Sequence, residues 1–285
     1  MGGMGSRMAA RLLAAGYDVT VYNRNRERTR SLEKQGAKVA AEPHELVARA
    51  DIVLSSLADD VAVEKVMLWP GGVLVGARPG TVFIEMSTVS PSLSRRMHDL
   101  AHQGGVFVLD APVSGTTTVA EHGELVIFVG GDKAIYDRCL PVLQVLARAA
   151  HYMGPAGSGA TMKLCANTLL GLGMQALAEA VAFGLKAGLQ RERLLEVLAA
   201  TAVVSPSQKS KLGNVLNEAY PPAFPLRLML KDYRLILDTA MGLSAAMPAT
   251  AAAEQVSAAE FARQSAAGRD EDFSSVVRTM ERISK

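Results

Sequence analysis

Apolar residues recur at helical spacing after Gly157-Ser-Gly-Ala, at Met162, Cys165, Ala166, Leu169, Leu170, Leu172, Leu177, Val181 and Leu185, and the pattern holds until Gly188. The spacing predicts one helix over Ser158 to Ala187, roughly 45 Å long at 1.5 Å per residue and long enough to bridge two domains. Upstream, short apolar runs alternate with helical stretches. Strands are predicted at Val19 to Asn23, Ile52 to Leu57, Val82 to Glu85, Val106 to Asp110, Leu125 to Val129 and Ala150 to Met153, with helices at Ser6 to Ala15, Glu42 to Ala50 and Ser92 to His102. Past Gly154-Pro155 the strand signal stops. Prolines then punctuate predicted helices at Arg191 to Thr201, Gln208 to Ala219, Pro225 to Met241, Pro248 to Ala267 and Phe273 to Lys285. The pattern predicts an α/β doubly wound sheet in residues 1–155, followed by an all-helical domain in residues 156–285.

The alternation opens in mid-unit. Met1-Gly-Gly-Met-Gly5 runs straight into the first predicted helix, so the chain starts on the second half of a strand, glycine turn, helix, strand unit whose first strand is missing. An upstream start is expected, because a central strand is hard to remove without exposing two unpaired edges. Gly2 and Gly5 fit the second and third glycines of G-x-G-x-x-G, with Gly3 and Met4 between them. Such a Rossmann-type turn lets the backbone approach a pyrophosphate at a helix N-terminus, although a glycine-rich helix start without a ligand is equally common. About 20 residues on, an acid selects NAD and an arginine admits the 2′-phosphate of NADP. Asn23-Arg24 stands at that place without an acid, which points to NADP, with NAD possible; Arg26, Arg28 and Arg30 read as a solvated basic helix start.

In a doubly wound sheet, ligands gather beyond the carboxyl ends of the strands. There the chain has Leu57-Ala58, Ser87-Thr88 and Ala111-Pro-Val-Ser114-Gly115, small or hydroxylated residues that suit close approach of a cofactor and a carboxylate, or ordinary loops. Lys163 and Asn167 lie four apart on the long helix and project from one face. With 285 residues and 49% hydrophobic content the chain can bury two cores, and its net charge of +2 is scattered, so no basic stripe argues for nucleic acid. Gln175 and Glu179 interrupt the longest apolar region, which argues against a membrane span. Cys139 and Cys165, far apart in apolar settings, suit a reducing cytoplasm. His98 and His102 lie four apart on a predicted surface helix without a third metal ligand nearby, so no metal is expected.

Four segments in order carry a resemblance: Met1 to Gly5; Asp110-Ala-Pro-Val-Ser-Gly115 running on to Gly123-Glu-Leu125 and Gly130-Gly131; Gly157-x-Gly159-x-x-x-Lys163-x-x-x-Asn167; and Lys231-Asp232. Together with Gly268-Arg-Asp-Glu-Asp272-Phe-Ser, they make the whole chain resemble the 3-hydroxyisobutyrate dehydrogenase family of β-hydroxyacid dehydrogenases, related to 6-phosphogluconate dehydrogenase. The resemblance implies that Lys163 is the catalytic acid/base, that Ser114-Gly115 holds a substrate carboxylate, and that Leu57, Ala58, Thr88 and Lys231 touch the cofactor. Asn167 would orient the substrate hydroxyl or the lysine. Thr116 replaces the family's usual second glycine and is expected to reshape the substrate pocket, while Thr168 stands where a second asparagine is common.

The implied activity is hydride transfer between NADP(H) and a small 3-hydroxy acid or its semialdehyde, of the 3-hydroxyisobutyrate or tartronate semialdehyde type. Imine or keto-acid reduction on the same scaffold, or a non-catalytic binding module, are the alternatives; Lys163, present to serve alcohol chemistry, disfavours the first, and retention of Lys163, Asn167, Ser114 and Lys231 together disfavours the second. The expected partner is a small carboxylate substrate, with neither nucleic acid nor membrane. The apolar flank of the long helix predicts a homodimer or homotetramer.

Overall fold

The computed structural model describes residues 1–69, 72–74 and 76–284, and divides the chain into two compact units, Met1–Lys163 and Leu164–Lys285. The division falls inside the long helix, where the sequence reading put it at 155/156.

In chain order the first unit contains α1 (Gly3–Ala14), β1 (Thr20–Val21), a 3-10 turn (Arg26–Thr29) leading into α2 (Arg30–Glu33), β2 (Lys38–Val39), α3 (Pro43–Val47), β3 (Ile52–Ser55) and α4 (Asp60–Met67). It continues with β4 (Val82–Glu85), α5 (Pro91–Gln103), β5 (Phe107–Asp110), β6 (Val113–Ser114), α6 (Thr117–Glu121), β7 (Leu125–Gly130), α7 (Lys133–Leu146), β8 (Ala147–Gly154) and the start of α8 (Ser158–Lys186).

β3, β4 and β5 run parallel, with Ile52 opposite Val82 and Val82 opposite Phe107. β7 turns antiparallel to β5, meeting it at Asp110 opposite Gly130; it pairs with β6 antiparallel and with β8 parallel. Side chains alternate across this sheet as a period of two requires. Ile84 and Leu109 point to one face, against Met8 and Leu12 of α1 and Leu143 of α7, while Phe83 and Val108 point to the other, against Val63 of α4 and Met97 of α5. Helices therefore cover both faces, and each such buried side chain contributes about 1.5–3 kcal/mol. β1 and β2 form a separate parallel ladder, and among the described residues no ladder joins it to β3. Every residue of β3 is accordingly half-exposed, whereas β4, flanked on both sides, is wholly buried.

The second unit is helical: the rest of α8, then α9 (Arg191–Ala200), α10 (Pro206–Lys209), α11 (Leu212–Leu216), α12 (Leu226–Gly242), α13 (Pro248–Ala266) and, after a 3-10 turn (Phe273–Ser275), α14 (Val276–Ile283). Leu177 and Val181 of α8 pack with Met229, Tyr233 and Ile236 of α12 and with Val277 of α14. Close helix contact needs Gly171, where an added Cβ would run into the Tyr233 ring. By length and composition α8 could cross a bilayer, with a mean hydropathy of 1.5 over its most apolar stretch. Within it Gln175 donates to Glu179 at 2.9 Å.

Several expectations need correction. The single helix expected over Gln208 to Ala219 is two short ones, α10 and α11: Ser205 starts α10 with a capping box, and Lys211, between them, turns inward to pair with buried Asp272 at 2.7 Å. The helix expected from Phe273 starts as a 3-10 turn, because Asp272 Oδ1 accepts from both the amide and the hydroxyl of Ser274; its expected end, Lys285, lies outside the described residues. β1 ends at Val21 instead of Asn23, since the Asn23 side chain accepts from the Asn25 amide and turns the chain. Cys139 is buried, whereas Cys165, expected in an apolar setting, is exposed on α8.

Candidate active site

The glycine turn opens α1. Gly2 is its N-cap, with φ −90° and ψ −176°, and no side chain caps the first turn, so its amides are open to an anion. A Cβ on Gly2 would meet nothing within 4 Å, whereas one on Gly3 would meet the Thr117 methyl at 3.2 Å. Gly5 faces Met1 and Ser56, the latter just past β3, and Met4 packs onto the sheet core. This open backbone cradle fits a dinucleotide pyrophosphate. Arg24 is exposed three residues beyond the end of β1, in the turn made by Asn23.

The ends of β3 and β4 are tied together by a carboxylate. Ser55 Oγ donates to Glu85 Oε2 at 2.5 Å and the Ser87 amide donates to Oε1 at 2.8 Å; Ser87 Oγ in turn accepts from the Leu57 amide at 2.7 Å. Leu57-Ala58 and Thr88 therefore sit on neighbouring loops whose spacing is set by hydrogen bonds. Burial pushes the Glu85 carboxyl above its usual range, opposed by the hydrogen bonds from Ser55 and Ser87 and reinforced by the charge of Asp60. Sequence reasoning placed Glu85 at a strand end but gave it no part in the site.

Beyond β5 the chain forms the serine loop. Ser114 ends β6, paired opposite Val126 of β7, and Gly115 turns the backbone at φ +143°. A Cβ there would come within 2.8 Å of Leu125 and 2.9 Å of Val119, so both the conformation and the space require glycine. The Thr116 hydroxyl accepts from the Val119 amide at 3.3 Å and caps α6. A local structural task thus engages the hydroxyl that was expected to reshape the substrate pocket. Arg7 of α1 pairs with Glu121 at the end of α6 at 2.7 Å, and Thr117 at the start of α6 lies close to Gly3 of α1.

Asp110, the last residue of β5, is buried. Its Oδ1 accepts from the Gly157 amide at 2.8 Å and its Oδ2 from the Ala160 amide at 2.7 Å. Desolvation pushes its carboxyl up and the backbone hydrogen bonds, led by Gly157 and Ala160, pull it down; the net direction is upward. Lys163 follows on the same helix, half-buried.

In the second unit, Asn167 of α8 is buried and its Nδ2 donates to Asp232 Oδ2 at 2.6 Å. Lys231 Nζ lies 3.0 Å from Asp232 Oδ1. Because the amide nitrogen is committed to a carboxylate, the Asn167 side chain presents its oxygen as the remaining polar atom, an acceptor suited to a hydroxyl or an ammonium. Asp232, quoted in a motif but given no role, is thus what orients Asn167. The His98 and His102 rings stack at 6.1 Å, and among the described residues no group of three His, Cys, Asp or Glu could hold a metal.

A pyrophosphate cradle on a doubly wound sheet, followed by a helical unit whose first helix carries a lysine and an oriented asparagine, defines an NAD(P)-dependent oxidoreductase. Residues 1–154 match the NAD binding domain of 6-phosphogluconate dehydrogenase, and residues 157–280 the NAD-binding domain of NADP-dependent 3-hydroxyisobutyrate dehydrogenase. The chain is 36% identical to glyoxylate/succinic semialdehyde reductase 1 of Arabidopsis thaliana, covering 99% of this chain and 96% of that one. It is 34% identical to 2-(hydroxymethyl)glutarate dehydrogenase of Eubacterium barkeri over 99% of this chain and 93% of the relative. Among solved structures, Mycobacterium tuberculosis 3-hydroxyisobutyrate dehydrogenase, determined with L-serine, superposes with a TM-score of 0.86 at 32% identity, covering 98% and 96% of the two chains. The chain belongs to the 3-hydroxyisobutyrate dehydrogenase family, NAD(P)-dependent dehydrogenases that act on hydroxyacids.

Proposed function

We propose that the protein transfers a hydride between NADP(H) and a small 3-hydroxy acid or its semialdehyde, of the 3-hydroxyisobutyrate or tartronate semialdehyde type. The observation that carries this reading is Lys163, one turn beyond helix amides fastened to the strand that leads into the serine loop. Gly2, Gly3, Met4 and Gly5 would hold the pyrophosphate, Asn23-Arg24 the adenosine ribose and its 2′-phosphate, and Leu57, Ala58, Thr88 and Lys231 further parts of the dinucleotide. When bound, the nicotinamide supplies or accepts the hydride.

What remains for the chain is to hold a carboxylate and handle one proton. Ser114, with the open backbone at Gly115, suits the carboxylate. In the reduction direction the Lys163 ammonium donates a proton to the carbonyl oxygen as it becomes an alkoxide; in oxidation the neutral amine accepts that proton. Asn167, its amide nitrogen held by Asp232, has its amide oxygen left to accept a hydrogen bond from the substrate hydroxyl or from the lysine. Imine reduction is the second reading on this scaffold, and Lys163, placed to serve alcohol chemistry, disfavours it. NADPH consumption measured over a panel of semialdehydes and cyclic imines tests the reading: semialdehydes should be consumed, and Lys163→Ala should abolish turnover while NADP still binds. Substantial turnover by that variant would overturn the lysine's role.

A further inference from the structure

We propose that Asp110 is a positioning residue for the reaction, its carboxylate fixing Lys163 of α8 relative to Ser114 by joining the end of β5 to the first turn of α8. This rests on the reading of Lys163 given above.

The geometry at Asp110 is closed on every side. On one side its two carboxylate oxygens each take a helix amide, Gly157 at 2.8 Å and Ala160 at 2.7 Å. Across the sheet its register partner is Gly130, where a Cβ would stand 2.6 Å from Asp110 Oδ1 and 2.8 Å from Oδ2, so only glycine leaves room for the carboxylate to reach the helix. Gly159, between the two donors, lies so close that a Cβ would stand 2.5 Å from the Asp110 carbonyl oxygen and 2.9 Å from the Gly130 nitrogen. A negative charge at this end of a 29-residue helix also meets the positive end of its dipole.

Both ends of this link lead directly to reacting groups. Ser114 lies four residues beyond Asp110 along the chain, and Lys163 lies three beyond Ala160, a rise of about 4.5 Å along the helix. A group that needed only to cap the helix could come from the residue just before it, as the Asp59 carboxylate does for α4 and the Ser90 hydroxyl for α5. This one comes from 47 residues away, on the strand that leads into the substrate loop. Shifts near 1 Å in such an arrangement cost on the order of 100-fold in rate.

The test uses the full chain with NADPH and a semialdehyde that it turns over. Asp110→Asn keeps the shape and one acceptor oxygen but turns an NH2 group toward a helix amide. We expect kcat to fall about ten-fold or more while the Kd for NADPH, read by fluorescence titration, stays within about three-fold, because the glycine turn lies outside the link. Hydrogen exchange should quicken over residues 157–163 and remain unchanged in β4. Asp110→Glu keeps the charge and both oxygens one methylene out of place; it serves if the asparagine variant does not fold, with the same kcat loss expected. A folded variant with wild-type kcat, or a loss confined to stability with full activity per folded molecule, would overturn the proposal. Failure of the underlying reading shows separately, as turnover by Lys163→Ala.

Discussion

Among the described glycines of the first unit the tightest approach is at Gly159, and substituting alanine there perturbs the seating of α8 without removing a polar group. An added Cβ would stand 2.5 Å from the carbonyl oxygen of Asp110 and 2.9 Å from the amide nitrogen of Gly130, with the Phe128 carbonyl also in its way. All three are backbone atoms of β5 and β7, so no side-chain rotation can relieve the overlap. Restoring ordinary contact to the Asp110 oxygen requires the first turn of α8 to lift by roughly 0.8 Å, and overpacking of this kind costs about 1–3 kcal/mol. Alanine's better helix propensity returns up to about 1 kcal/mol, so the net loss expected is about 0–2 kcal/mol, toward the upper end because the overlap is with backbone atoms. The lift also strains the hydrogen bonds from Gly157 and Ala160 to Asp110 and displaces Lys163, for which a loss approaching 100-fold in kcat is the right order.

Denaturant unfolding gives the first quantity and steady-state kinetics, corrected for the folded fraction, the second. Gly213→Ala in α11 is the control: a Cβ there meets nothing within 4 Å, and the variant should be as stable as the wild type or more so. If Gly159→Ala behaved like the control in both assays, the tight seating of α8 on the strands would be wrong.

Two further outcomes are expected. Arg24→Ala should weaken NADP binding by about 1.5–3 kcal/mol and leave NAD binding nearly unchanged, the scale of a hydrogen bond to a charged group; equal affinity of wild type and variant for NADP on titration removes Arg24 from phosphate recognition. Glu85, whose carboxyl burial pushes up, binds its proton more tightly in the folded than in the unfolded chain. Its contribution is therefore complete below the unfolded carboxyl's pKa of about 4.3 and is lost as pH rises through the higher folded value. Glu85→Gln can still accept from the Ser87 amide and donate to Ser55, so relative to the wild type it should gain thermal stability as pH rises from about 4 to 7; a difference in melting temperature that stays constant over that range contradicts this.

The long helix was legible because its apolar spacing is uninterrupted: expected over Ser158 to Ala187, it runs Ser158–Lys186. β4 was placed to the residue, being a short apolar run flanked by turn residues. α7, Lys133–Leu146, escaped because Pro141 sits inside it and reads as a break; β6 escaped because its two residues are extended only by pairing with β7. The same limit governs the site. Lys163, Asn167 and Ser114 announce themselves as residue types in a spaced pattern. Asp110 meets its helix amides across 47 and 50 residues, Asn167 meets Asp232 across 65, and Glu85 meets Ser55 across 30, and sequence spacing carries no trace of such partnerships.

The glycines that make this chain resemble its family do not all speak for chemistry. Gly2 leaves open space, as a ligand cradle should, but Gly115, Gly130 and Gly159 are each surrounded by protein atoms at distances no Cβ could tolerate. Those three are required for the strands, the serine loop and the long helix to close on one another. A chain that had given up catalysis but kept this fold would need them just as much. Lys163 is different in kind, a half-buried amine with a proton to give or take. The motif glycines therefore identify the scaffold, and under the proposed function it is the amine that separates an enzyme from a binding module built on the same scaffold. For that reason the Lys163 substitution tests the function itself, while the substitutions at Gly159 and Asp110 test how the scaffold delivers it.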